Sequence, residues 1–129
     1  MLYKQDGTPE DPNRITTNAP ISKEQEAAIK AEYKAALLTY NNRHGDSPFA
    51  VCHILGGRNS DWNAEGLASS ALYHAYFAET QDHETACHKA GMAAGRIFWQ
   101  VLMESSTDFQ VDHTEKDSKG ISRTFYRRR

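Results

Sequence analysis

The chain has 129 residues, 39% of them hydrophobic and 25% charged, with a formal net charge of −2. That length supports one hydrophobic core without a metal or disulfide staple, and the composition excludes a wholly disordered chain. A net charge this small excludes a global field for nucleic acid or an anionic membrane.

Charge is nonetheless uneven: residues 61–106 carry two basic and six acidic side chains, residues 107–129 six basic and four acidic. No apolar run reaches the roughly 18 residues that span a bilayer. The opening "MLYKQDGTPEDPN" lacks the basic-then-apolar order of a signal peptide. A cytoplasmic protein with no membrane partner is therefore expected. In that setting Cys52 and Cys87 are expected to stay reduced and to pack as small hydrophobes.

In chain order, residues 1–20 hold three of the four prolines and read as an extended arm with turns. A first helix begins after Pro20, with Ser22 as N-cap and Gln25 completing a capping box. Its apolar stripe is Ile29, Tyr33, Ala36, Leu37 and Tyr40, with Lys23, Lys30 and Lys34 opposite, and the loop "NNRHGD" ends it.

Asp46 or Ser47 then caps a short helix with Pro48 at its first position. Its body, "FAVCHIL", is apolar nearly all round and predicts a buried element. Gly56 and Gly57 stop it. A longer helix starts at Asn59 or Ser60 and runs to about Glu79. After a turn at "TQD", the last helix covers His83 to Glu104. The expected fold is all-α: three main helices and one short buried helix around an αα-hairpin. The arm is 1–20, the helical domain 21–106, and 107–129 a basic tail. That tail either pairs "FQVDH" weakly with "ISRTFY" around "DSKG" or stays disordered.

Both long helices of the hairpin carry two apolar faces at about 100° per residue. In the last one, His83, Cys87, Ala90, Ala94, Ile97, Phe98 and Val101 share one face, and His88, Met92, Gly95, Trp99 and Met103 another. In the helix before it, Ala64, Leu67, Ala68, Ala71, Ala75 and Ala78 form a small-residue face expected to meet Ala90 and Ala94. Trp62, Tyr73, Tyr76 and Phe77 lie opposite. Each large aromatic buries about 150–250 Å², and so few helices cannot hide them all. A homo-oligomer or another protein partner is the expected cover, with arm and tail folding back as the alternative. The interface set is Trp62, Tyr73, Tyr76, Phe77, His88, Met92, Trp99 and Met103.

No catalytic motif occurs, so a binding protein (an adaptor, inhibitor or regulator) is expected before an enzyme. Three further constellations carry chemistry. His83 and Cys87, four apart on one helix face, can reach one ion. No cofactor is expected, and zinc at this pair, completed by His74 or Cys52–His53, is the alternative to a buried thiol. The loop of Gly57, Arg58, Ser60 and Trp62 precedes a helix start, where an anion or nucleotide is favoured and Trp62 can stack on a ring. With Tyr76, His88 and Trp99 it outlines a small-molecule pocket between helices. In the tail, Arg123, Phe125 and Arg127 mix cations and rings, as contact with nucleic acid requires.

Overall fold

Ser22 does cap the first helix. In a computed structural model, which describes residues 1–55, 62 and 67–129, its hydroxyl accepts the Gln25 N–H at 3.0 Å. The Gln25 side chain accepts the Ser22 N–H at 2.9 Å in return. The helix α1 spans Lys23–His44 and turns Ile29, Tyr33 and Leu37 inward. It takes in "NNRH" before stopping at Gly45, whose φ of +63° is one that glycine adopts without strain.

The all-α expectation is overturned. Of the described structure 50% is helix and 17% strand, and the strands form one four-stranded mixed sheet. Strand β1 is Leu2–Tyr3 and β2 is Phe49–Ala50. Strands β3 (Phe109–Lys116) and β4 (Ser122–Arg128) make the hairpin, with the turn between them closed by Gly120 at φ +78°. The sheet order is β1-β3-β4-β2: β1 runs parallel to β3, and the other two pairings are antiparallel.

Arm and tail thus join in one element, with Leu2 in register with Phe109. Leu2, Phe49 and Phe109 are all buried. Phe49 meets Phe109 edge-on at 6.0 Å and Tyr126 at 6.2 Å, so a ring cluster binds sheet to helices. Burial pushes the Tyr126 phenol up to about 12; the nearby Arg14 opposes that shift and Glu10 adds to it.

The "FAVCHIL" run divides. Phe49 and Ala50 enter the sheet opposite Tyr126 and Phe125. Only Val51–Leu55 remains helical, as α2, and none of its residues is fully buried. The expected short buried helix is therefore a partly exposed one, because the sheet takes the run's most apolar end.

Helix α3 spans Ser70–Thr80 and α4 spans His83–Glu104. The start expected for α3 at Asn59 or Ser60 falls within 56–61 and 63–66, outside the described residues; within them the helix begins at Ser70. α4 buries Ala86, Ala90, Ala93 and Ala94, but α3 turns Leu72 and Tyr73 inward, with Ala71 and Ala75 only half-buried. The contact is small against large. Backbones do not need two alanine faces to approach when one helix supplies the space and the other fills it.

Trp99 is 3% exposed, and its cover comes from the same chain. The arm crosses it, with the Arg14 guanidinium 5.7 Å from the ring centroid and Gln100 donating to the Ile15 carbonyl at 3.4 Å. Arg14 in turn pairs with the buried Glu10 carboxylate at 3.1 Å. Among the described residues no helix is long and apolar enough to cross a membrane.

Candidate functional site

Residues from five parts of the fold line a cavity of about 720 Å³, within the range of small-molecule sites. α1 supplies Glu32, Tyr33 and Ala36; α2 supplies Val51, Cys52, Ile54 and Leu55. α4 supplies Cys87, His88, Gly91, Met92, Ala94 and Gly95, and Ile121 reaches over from the hairpin turn. Trp62, Leu67 and Ser69 close another side. Leu67, Met92 and Ile121 are each over 40% exposed, so apolar side chains rim the mouth.

The wall formed by α4 is thin because two of its residues lack side chains. A Cβ built at Gly91 or at Gly95 meets nothing within 4 Å. Each glycine inside a helix costs about 0.8–1.0 kcal/mol relative to alanine. Here that cost leaves open space, not a close helix contact.

Three polar groups shape the interior. The Glu32 carboxylate accepts the backbone N–H of Ala68 at 2.5 Å and of Ser69 at 3.3 Å. Both of its oxygens are thereby used to hold the start of α3, which has no side-chain cap of its own. The Tyr33 phenol is held far above its usual range, first by burial and then by the Glu32 charge, with a hydrogen bond from Ser69 opposing. It stays neutral. The Trp62 indole N–H is shielded from solvent and has no hydrogen-bond partner among the described residues. A buried donor without an acceptor costs about 1–3 kcal/mol.

The interface set expected from the sequence therefore splits. Trp62, His88 and Met92 line the cavity, whereas Trp99 lies under the arm and Tyr73 is packed in the core at 8% exposure. Tyr76 and Met103 are partly buried against that core, and Phe77 is 37% exposed, stacked on Tyr73 at 5.8 Å. The second apolar face of α4 is real: its first half faces the cavity and its second half faces the arm. Of the outlined pocket, Trp62 and His88 belong to the cavity; Tyr76 and Trp99 do not. Gly57, Arg58 and Ser60 lie outside the described residues.

His83 and Cys87 do meet, with Sγ 3.7 Å from Nε2. His74 packs on Tyr73, and His53 accepts the Ala50 N–H at 3.1 Å, so neither completes a metal shell with them. No group of three or more His, Cys, Asp or Glu able to hold a metal ion occurs among the described residues. In the tail, Arg127 pairs with Asp112 at 3.2 Å and Arg128 with Asp46 at 2.7 Å. Phe125 is stacked on His113 at 4.5 Å. Phe125, Arg127 and Arg128 are thus engaged within the fold, whereas Arg123 in β4 is exposed.

Sequence reasoning missed Glu32, Tyr33, Leu67, Gly91 and Ile121 as lining residues. The legible signal was the pair Gly91 and Gly95, four apart inside an otherwise strong helix with no turn to justify them. Comparison with protein-family models, with curated proteins and with solved structures finds no match to this chain.

Proposed function

We propose that this protein binds a small, largely apolar molecule in the cavity between α1, α2 and α4. The observation that carries this is the conjunction of an apolar cavity with two lining positions, Gly91 and Gly95, that lack side chains, and with Trp62 in its wall. The aliphatic lining favours a body of aliphatic or aromatic carbon. Glu32 is already satisfied by two backbone N–H groups, so a cation gains little there. The reading places the protein in the reducing cytoplasm, where both cysteines remain free thiols.

Calorimetric titration with decan-2-one, a ten-carbon ketone, tests this. Saturable binding is expected, and Gly91→Leu, which adds a side chain on the cavity wall where a Cβ meets nothing within 4 Å, is expected to weaken it. Absence of binding to the unaltered protein would remove the reading.

A second reading rests on Leu67, Met92 and Ile121 at the mouth. A second copy of the chain seated there forms a homodimer, which light scattering detects and which a bound ligand does not require.

A further inference from the structure

The cavity wall carries a nucleophile as well as a shape. Cys87 is half-buried and lines the cavity, and His83 stands one helical turn before it, Nε2 to Sγ at 3.7 Å. The far ring nitrogen, Nδ1, shares a 2.8 Å hydrogen bond with the Tyr73 hydroxyl from α3. The two rings meet edge-on at 5.5 Å and 71°, so the imidazole is held in place. Thiol, base and a group orienting the base are aligned in the order that activates a nucleophile. Cys52 lines the same cavity, but the neighbouring His53 is turned to the Ala50 backbone.

Resting on the reading of this cavity as a ligand site, we propose that Cys87 covalently captures α,β-unsaturated carbonyl compounds whose apolar tails fill it. Sγ attacks the β-carbon. The S–C bond forms as the C=C π pair shifts toward the carbonyl oxygen, while the thiol proton passes to His83 Nε2. His83 then returns that proton to the α-carbon as the enolate collapses, leaving a thioether. No group leaves and no oxidant takes part. Acyl transfer would need paired donors at an oxyanion and room for a leaving group; addition needs neither.

Two reagents separate this inference from the cavity reading beneath it. Iodoacetamide is too small to need the cavity, and peptide mapping follows Cys87 and Cys52 in the same molecule. A free thiol is already a few per cent ionised at pH 7, which bounds the gain from a base at roughly 10–30-fold. Cys87 is expected to react about tenfold faster than Cys52 at pH 7, and the advantage to shrink above about pH 9, where thiols ionise unaided. His83→Gln and Tyr73→Phe are each expected to remove the advantage at pH 7 and leave the rate at high pH unchanged. A purely structural role for either residue would alter both rates alike.

Equal rates for the two cysteines, or variants that act equally at both pH values, overturn the proposal even if decan-2-one binds. The second reagent pair is but-2-enal and dec-2-enal, with faster modification of Cys87 expected for the longer chain. An iodoacetamide advantage without chain-length dependence overturns the proposed substrate class and implicates the cavity reading, not the thiol.

Discussion

The carboxylate of Glu32, midway along α1, accepts the N–H of Ala68 at 2.5 Å and reaches that of Ser69 as well. These two N–H groups lie just before α3, whose own first donors at Ser70, Ala71 and Leu72 bond to the carbonyls of Leu67, Ala68 and Ser69, so Glu32 anchors the lead-in to the helix. Glu32→Ala is expected to cost about 1–2 kcal/mol in urea unfolding, the range for losing an N-cap or a charged hydrogen bond. Amide exchange should quicken first at Ala68 and Ser69, whose N–H groups Glu32 holds. Glu32→Gln, which keeps an acceptor, should cost less.

Gly91 and Gly95 point the other way. Each sits in α4 with open space where a side chain would be. Gly91→Ala and Gly95→Ala are each expected to raise stability by about 0.5–1 kcal/mol, since alanine restricts the unfolded chain and suits a helix. The same variants narrow the cavity, so thermal melts should improve while ligand affinity falls. A loss of stability would mean that the glycines serve packing.

The arm is a working part of the fold. Leu2 is fully buried at the edge of the sheet, and the segment after it lies on Trp99. Leu2→Ala is expected to cost about 2–3 kcal/mol, as for other buried leucines. Trp99 emission should shift to the red at lower urea concentration than in the unaltered protein. An unchanged midpoint would show that the arm only decorates the surface.

The helices were legible because their signals are local. Ser22 and Gln25 announce one start, and the break at "TQD" separates α3 from α4. The sheet was not. β1 and β2 have two residues each, too few to show a period, and β1 pairs with a strand at the other end of the chain. In β3 a bulge between Val111 and His113 breaks the alternation of faces by which a strand is recognised. The hairpin itself was visible around "DSKG", but what it packs on was not. The same non-local contact decides between the two covers expected for Trp99: helix count suggested a second chain, while the arm, given as the alternative, lies over it. The cavity was half legible, because His88, Met92 and Gly95 share a face, whereas Tyr33 and Ile121 come from elements whose approach no periodicity encodes.

That bulge has a consequence for pH. His113 lies between Asp112, at 2.5 Å, and Glu115, at 2.9 Å, and those two hydrogen bonds raise its pKa above 6.5. Because the folded value exceeds the unfolded one, the stabilisation is complete below about pH 6.5 and is lost as pH rises through the folded value. Asp82 behaves oppositely. Its bonds from Thr85 lower its pKa, so its contribution is present above about pH 3.8 and disappears on acidification. Urea midpoints should fall between pH 5.5 and 8.5, and His113→Gln should flatten that slope. A proton NMR titration of His113 checks the direction independently.

A molecule held in the cavity lies against Trp62, whose indole therefore reports its arrival. The two indole N–H groups give separate nitrogen-resolved NMR signals, one from the cavity wall and one from beneath the arm. On titration with decan-2-one the Trp62 signal is expected to move and saturate, together with backbone shifts at Cys87–Gly95, while the Trp99 signal stays in place. Signals that do not saturate, or a Trp62 resonance that remains fixed while others move, would contradict binding in the cavity.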